Sequence, residues 1–385
     1  MRAVLCSLVL LSGLTSSLAR GQEPPPAEAP PVEAPPVEVP RVAAVAAPLP
    51  ASDCGALSGL ALAEERSSFL SDRFRLTLPL AATHASVPND IMAASVPEDT
   101  SSLYFVEQGE DRMGVVANET FQVVGEDFEA VVRRYLSDLP PDGAPWNIAP
   151  LPLADASMSA VAYWPSSLVV SGDSDVWALG VLYAMPDGAV AHVSFRLDTP
   201  TAAHGSGCTG FAAKLAASAG AGDRALNRAE HDETVAVSAH RSLKVHVPAD
   251  VIVLPQPGPD FQVIYLIPLV PLDQPSPSLG VYIGAYPQDL EQPNLPDVPG
   301  RLLGEAGAWA ASEATSMDGA WRALRLERRI EVSPEDGKKR KKKKADAELP
   351  PSSPLFVHVF MSATDQAQLD QLRGIAESMA WEKVK

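Results

Sequence analysis

The sequence contains few of the residues that most often carry chemistry. Of its 385 residues, 3 are cysteine, 7 are histidine and 6% are aromatic. The histidines are scattered, without pairs four residues apart and without a Cys-x-x-Cys motif, so the spacing of a zinc site is missing. Basic residues number 30 against 48 acidic ones, for a net charge of −18. Such a chain is a poor partner for nucleic acid, because phosphate contacts require a basic surface.

Apolar runs are short, since none approaches the ~20 residues that a membrane-spanning helix needs. The run at residues 4–14 follows Arg2 and precedes Ser17, Leu18 and Ala19, a small-x-small pattern. This arrangement is typical of a secretory signal. We therefore expect residues 1–19 to be a signal peptide and the protein to be exported to the periplasm or outside the cell. An uncleaved anchor and a buried helix are the alternatives.

Two cysteines, Cys54 and Cys208, remain once residues 1–19 are removed. An exported chain meets oxidising conditions, in which a pair of thiols commonly closes. We predict a Cys54–Cys208 disulfide, with two unpaired buried thiols as the alternative.

Proline is abundant, at 37 residues, and is concentrated before residue 51. Proline fixes φ and removes a backbone donor, so neither helix nor sheet propagates through such a segment. We interpret residues 20–50 as a disordered, extended Pro-rich linker. The linker either lets the folded body reach across a cell wall or away from a membrane, or it is a tail without function.

The remainder of the chain shows one pattern twice. Each copy has an alternating strand ending in proline, a glycine-centred strand, a helical stretch, two long strands and a closing helix. In order, these segments are residues 74–79, 113–116, 126–139, 176–184, 189–197 and 211–218, and then 243–248, 279–282, 302–314, 321–332, 355–361 and 365–379. We predict two tandem domains, residues 51–222 and 231–385, with chance similarity of two generic plans as the alternative.

The fold class follows from the connections between strands. Asp187 and Gly188 lie between two alternating segments, which indicates a hairpin. Hairpin-linked strands form antiparallel sheets, and the helices must then cover sheet faces. We therefore predict an α+β fold with two antiparallel-sheet domains and helices packed on the sheets.

The repeated plan resembles the PsbP-like fold family, in tandem copies that cover roughly two thirds of the chain, as in its bacterial exported members. The features that match are the strand at 243–248, the Gly-Val-Tyr strand at 280–282 and the ending at 372–381, an apolar helix followed by Trp381. The first copy lacks this ending. The resemblance implies binding or assembly rather than catalysis, and no catalytic residues are carried over.

A G-x-G-x-x-G pattern at residues 205–210 precedes a helix. In a dinucleotide site, such glycines let backbone amides approach a pyrophosphate. Here Pro200 and a long connection separate the pattern from the preceding strand, so a flexible start to the helix is favoured. Cys208 lies within the pattern as a candidate nucleophile, which would need His192, His204 or His231 as its base.

Metal ligands of the right types are adjacent at His231, Asp232 and Glu233. Neighbouring residues of a strand point to opposite faces, so these three do not converge on one ion. We expect no metal and no cofactor.

A basic run occupies a loop that we place at residues 335–353. It consists of Lys338, Lys339, Arg340, Lys341, Lys342, Lys343 and Lys344. Seven adjacent charges repel one another and remain exposed. The run is either a solvated insertion or a contact for anionic membrane lipid or another polyanion, and it could also dock on the acidic body.

Replacing all seven residues of the basic run with serine is expected to leave the melting temperature nearly unchanged. Vesicle sedimentation at low salt should show weaker binding to anionic lipid if the run contacts membranes. A large loss of melting temperature would show that the run pairs with the acidic body, and unchanged vesicle binding would remove the membrane hypothesis.

From the sequence, then, we expect an exported, non-enzymatic binding or scaffolding protein of the cell envelope. Its partner, ligand and oligomeric state are left open. The alternatives are an exported hydrolase-like enzyme using Cys208 or a His/Asp cluster, and an anionic-surface binder acting through the basic run.

Overall fold

The computed structural model describes most of the chain after residue 44. The described residues are 45–46, 48–50, 53–85, 101–124, 127–137, 146–166, 176–238, 241–257, 261–272, 274–285, 294–315, 322–332 and 355–383. Antiparallel strands account for most of them, and helices pack on the sheets. The predicted combination of antiparallel sheet and packed helices is therefore confirmed.

The N-terminal half, residues 45–221, contains one large and one small sheet. Its strands are β1 (Val45–Ala46), β2 (Ser67–Phe69), β3 (Phe74–Leu76), β4 (Thr83–His84), β5 (Ser101–Gln108), β6 (Asp111–Val123), β7 (Trp146–Pro150), β8 (Ser159–Pro165), β9 (Val176–Ala184), β10 (Ala189–Leu197) and β11 (Gly220–Ala221). Its α-helices are α1 (Phe128–Ser137), α2 (Thr199–Ala202) and α3 (Ser206–Ala216), with a 3₁₀ helix at Gly55–Gly59.

The C-terminal half, residues 231–383, also contains one large and one small sheet. Its strands are β12 (His231–Ser238), β13 (Arg241–Val247), β14 (Val251–Pro257), β15 (Phe261–Pro268), β16 (Val270–Pro271), β17 (Ser278–Gly284), β18 (Val298–Leu302), β19 (Glu305–Thr315), β20 (Arg322–Val332), β21 (Leu355–Ala363) and β22 (Ala380–Lys383). Its helix is α4 (Gln366–Ser378).

The strand order is the same in both halves. The large sheets read β7-β8-β9-β10-β6-β5-β4 and β18-β19-β20-β21-β17-β15-β14, with β1 and β16 as additions to the first. Numbered from the first strand of each sheet, both orders are 4-5-6-7-3-2-1. The small sheets, β2-β3-β11 and β12-β13-β22, each add a closing strand to a hairpin. The described strands of the two halves therefore share one connection pattern.

One predicted helix is wrong. Residues 302–314 belong to strands, because β18 ends at Leu302 and β19 follows a turn at Leu303 and Gly304. The alanine-rich sequence favours a helix locally. The strand forms because Trp309 and Ala311 are buried on one face of the sheet, so tertiary packing overrides propensity.

The inner face of each large sheet is covered by the helix that follows its last long strand. Helix α3 packs against β9 in the N-terminal half, and α4 packs against β21 in the C-terminal half. The predicted apolar face of α4 is buried and consists of Leu369, Leu372, Ile375 and Ala376. The Asp365 side chain caps α4 by accepting the Gln368 N–H at 2.9 Å.

The outer face of the first large sheet is covered by α1. Val131, Val132 and Leu136 of this helix are buried in one apolar cluster with Leu182 of β9. Leu272, from the C-terminal half, is buried in the same cluster. Next to it, β16 pairs in parallel with the end of β6, so the C-terminal half adds a strand to the first sheet.

Several predicted segments lie outside the described residues. These are the signal peptide at 1–19, the linker up to residue 44 and the basic loop at 335–353. Near the end of the predicted linker, Val45 and Ala46 pair in parallel with β7. This part of the segment therefore belongs to the sheet rather than to a free spacer.

Candidate functional site

The two cysteines of the folded body form a disulfide, as predicted. Cys54 and Cys208 have Cα atoms 4.3 Å apart and are separated by 154 positions in sequence. Both are completely buried in the core of the N-terminal half. The bond joins the segment that precedes the 3₁₀ helix to the first turn of α3.

Two of the three glycines in the G-x-G-x-x-G pattern are explained by this crossing. Gly205 has a φ of +67°, which favours glycine, and α3 begins at the next residue. A Cβ on Gly207 would lie 1.8 Å from the Asp53 carbonyl oxygen. The Asp53 N–H also donates to the Gly207 carbonyl at 3.3 Å. Gly207 thus provides room for the backbone of Asp53 beside the disulfide, and this close approach accounts for a glycine at this position.

Replacing Gly207 by alanine is expected to destabilise the protein, because the backbone of Asp53 must move away from the added methyl group. Overpacking of this kind lowers the free energy of unfolding by about 1–3 kcal/mol. Denaturant unfolding measures the change. A matched control is Gly374→Ala in α4, where nothing lies within 4 Å of the added Cβ and higher helix propensity should stabilise the fold slightly. An equal change in the free energy of unfolding for the two variants would contradict the steric role assigned to Gly207.

The candidate nucleophile Cys208 has no thiol to offer, because it is disulfide-bonded. Its candidate bases also have other contacts. His204 Nε2 lies 3.0 Å from Asp111 Oδ1 at the surface. His231 Nδ1 lies 2.8 Å from the Ala229 carbonyl. His192 lies in a separate aromatic cluster with Tyr163 and Trp177. The structure does not bring a Cys/His pair together here.

The sequence His231-Asp232-Glu233 divides between the two faces of β12, as predicted. His231 Nε2 lies 3.8 Å from Glu233 Oε2. Asp232 instead pairs with Lys244 at 2.7 Å, and this hydrogen bond lowers the pKa of the Asp232 carboxyl. Within the described ranges, no group of three or more Asp, Glu, His or Cys side chains could hold a metal ion.

An aromatic cluster that the sequence did not predict lies on the outer face of the first sheet. Tyr163 and Trp177 stack on His192, with ring centroids 6.0 and 5.8 Å away. The Tyr163 hydroxyl lies 2.8 Å from His192 Nε2. Gly180 makes this possible, because a Cβ there would lie 2.3 Å from the Tyr163 ring. Burial, with a smaller effect of Arg196, lowers the pKa of His192 to about 4, so the ring is neutral near pH 7.

A charged cluster lies where the N-terminal half meets the connecting segment. Arg73 forms an ion pair with Glu119, and their side chains are only 6% and 1% exposed. Arg73 Nη2 also lies 3.3 Å from Asp187 Oδ2. Burial raises the pKa of the Glu119 carboxyl, and Arg73 opposes this shift. We call Arg73, Glu119 and Asp187 the buried charge cluster.

The buried charge cluster holds the segment that connects the two halves. Asp187 Oδ2 accepts the Leu226 N–H at 3.0 Å. Arg228 donates to the Asp187 carbonyl and pairs with Asp250 of the C-terminal half at 2.7 Å. The hairpin turn between β9 and β10, which contains Asp187, is therefore a structural tie between the halves.

A shallow cleft of about 580 Å³ lies beside the first small sheet. It is lined by Glu65, Arg66, Ser68, Asp72 and Arg75. Arg75 bonds Asp72 and Asp223, each at 2.7 Å. Since the lining carries both signs of charge and its central arginine is bonded within the protein, the cleft has no single-sign field for a charged ligand.

The predicted anionic-surface contacts lie outside the described residues. They are Lys338, Lys339, Arg340, Lys341, Lys342, Lys343 and Lys344.

Comparisons with protein-family models, with curated proteins and with solved structures find no match to this chain. Of the helices described, none is long and apolar enough to cross a bilayer.

Proposed function

We propose that this protein is an exported, non-enzymatic binding or scaffolding protein of the cell envelope. The observation that carries the proposal is the buried Cys54–Cys208 disulfide. Structural disulfides persist in oxidising compartments and are rare in the cytosol. Cys54 lies just after the predicted linker, so the bond joins the first part of the folded body to α3.

We further propose that the body consists of two copies of one domain, residues 51–222 and 231–385. The shared strand order of the large sheets and of the small sheets supports this division. A duplicated sheet with variable outer faces suits a protein that binds or assembles, which is also what the resemblance to the PsbP-like family implies. The use of Cys208 in the Cys54 bond argues against the cysteine-hydrolase alternative.

Expression of the full chain with cell fractionation and intact-mass measurement tests the export proposal. We expect a chain that begins at Arg20, lies in the envelope fraction and carries no free thiol. The control replaces Leu8 and Leu10 with arginine, which removes the apolar run of the signal and should retain the chain in the cytoplasm. Cytoplasmic accumulation of the unaltered chain with two reactive thiols would overturn the proposal. A crosslinked pull-down from the envelope fraction then identifies the partner.

A further inference from the structure

Arg328 of β20 is a buried arginine on the inner face of the second large sheet. It alternates in register with Leu326 and Val332, which belong to the core of the C-terminal half, and it is 9% exposed. Among the described residues its one hydrogen bond runs from Nη1 to the Gly300 carbonyl at 3.4 Å, and no carboxylate lies within ion-pair distance. Because an arginine side chain keeps its charge in proteins, a positive charge is buried here almost without compensation.

Two glycines let the guanidinium of Arg328 lie directly against the backbone. Gly300 and Gly307 are paired across β18 and β19. A Cβ on Gly307 would lie 2.5 Å from Arg328 Nη2, so a larger residue would displace the guanidinium. Gly307 is exposed, so the guanidinium lies next to an exposed position at the rim of the inner face.

A second hydrogen-bond donor without a partner lies beside Arg328. Trp309 is completely buried, and within the described part of the chain its indole N–H has no acceptor. The indole nitrogen is close to Gly300, since a Cβ there would lie 2.5 Å from it. Buried polar groups nearly always have a partner, so two such donors at one glycine require an explanation.

The fold does not require an arginine at this position, because the N-terminal half has a valine there. Strands β10 and β21 both contain nine residues, and aligning them matches Val193 with Val359. The residues paired with these two on the preceding strand are Val181 and Arg328. Val181 is fully buried in an apolar core. An apolar side chain is therefore sufficient for packing at this position.

We propose that Arg328 and Trp309 form a binding site for a carboxylate. A guanidinium binds a carboxylate through two parallel N–H···O bonds, and its planar fork matches the two carboxylate oxygens. The indole N–H supplies a third donor for one of the same oxygens. Such a ligand would give the buried charge a counter-ion and the buried indole an acceptor. The proposed site does not depend on export.

Glu377 of α4 limits the charge of the ligand. Its Oε1 accepts the Arg301 N–H at 3.2 Å and would lie 2.3 Å from a Cβ on Gly300, so it borders the site. A negative ligand is repelled by this carboxylate, and the repulsion grows with the charge of the ligand. A singly charged carboxylate is therefore preferred to doubly charged phosphate or sulfate.

Thermal unfolding of the purified chain in sodium acetate, with the ionic strength held constant by sodium chloride, tests the proposal. The melting temperature should rise by about 2–4 °C once acetate is several times its dissociation constant, because acetate binds only the folded state. Arg328→Leu should remove this rise, and it also corrects for general salt effects. Phosphate and sulfate should give a smaller difference between the two chains. Trp309→Phe, which loses only the N–H donor, should weaken acetate binding by about tenfold or more.

The stability of Arg328→Leu without acetate separates a ligand site from a structural role. This variant should be at least as stable as the unaltered chain, because an apolar residue replaces a charge without a partner. Arg329→Leu, at the exposed neighbour on the opposite face, is the control and should keep the acetate response. Near-ultraviolet circular dichroism shows whether each variant is folded. Marked destabilisation of Arg328→Leu in chloride, or an equal acetate response in the unaltered chain and this variant, would overturn the proposal.

Trialanine and its C-terminal amide identify the source of the carboxylate. Tighter binding of trialanine than of acetate, lost in the amide, would assign the site to the carboxyl end of a peptide. Equal or weaker binding would assign it to a small free acid. Binding of the amide as tightly as trialanine would contradict recognition of a carboxylate.

Discussion

Removal of the disulfide is expected to lower the free energy of unfolding by about 4–5 kcal/mol, the value that chain-entropy estimates assign to a loop of more than 100 residues. The variant is Cys54→Ala with Cys208→Ala in the chain that begins at Arg20. Alanine is preferred to serine because both positions are fully buried, where a hydroxyl without a partner would add its own cost. Guanidinium-induced unfolding followed by tryptophan fluorescence measures the change.

Reduction provides the matched control for this prediction. A thiol reductant should shift the unfolding midpoint of the unaltered chain towards that of the double variant, and should leave the double variant unchanged. The two thiols should react with an alkylating reagent only after reduction and unfolding, because neither sulfur is accessible in the folded state. The prediction would be contradicted if the reduced chain and the double variant had different unfolding midpoints. It would also be contradicted if free thiols were found before reduction.

Disruption of the buried charge cluster should lower the free energy of unfolding by about as much as removal of the disulfide does. In Arg73→Met, Glu119 loses its main partner while its side chain stays 1% exposed. Breaking a buried pair on one side typically costs about 3–5 kcal/mol, because an uncompensated charge is left behind. The double variant Arg73→Met with Glu119→Gln should recover much of this loss. Arg112→Met, which breaks an exposed pair with Glu107, serves as the control and should change stability little.

In Arg73→Met, the loss of stability should also depend on pH, and the direction of this dependence can be derived. Burial raises the pKa of Glu119 in the folded protein, so the folded state holds this proton more tightly than the unfolded state does. Stability contributed in this way is lost as pH rises above the ordinary carboxyl range. Removal of Arg73 takes away the opposing attraction and strengthens the effect. Arg73→Met should therefore be less destabilised at pH 5 than at pH 8, and the reverse order would contradict the assigned cause.

Strands whose turns carry clear chemistry could be predicted from the sequence almost residue by residue. The bounds of β9 and β10 agree with those predicted, because an Asp-Gly turn separates two apolar runs. The start of α4 was predictable from the cap at Asp365. The alanine-rich β19 was not, because its local preference is helical and only the burial of Trp309 against distant residues makes it a strand.

The candidate sites show the same division between local and long-range information. Counting cysteines was sufficient to predict the disulfide, since only two cysteines follow the segment interpreted as a signal peptide. The ion pair between Arg73 and Glu119 joins positions 46 apart in sequence and has no local pattern. The aromatic cluster around His192 depends on Gly180, whose missing side chain leaves room for a ring on a neighbouring strand. Such contacts depend on strand register, which the sequence alone did not predict.

The closing strands of the two small sheets affect how safely each half can fold. Gly220 of β11 pairs with Arg75 of β3, and Trp381 of β22 pairs with Leu243 of β13. Each half thus needs a strand made late in its own stretch of chain to complete a sheet begun early. While a nascent half waits for that strand, the edge of β3 or β13 is exposed to pairing with a neighbouring chain. The folding chain therefore passes through two periods of aggregation risk, each ending when one short strand joins its sheet.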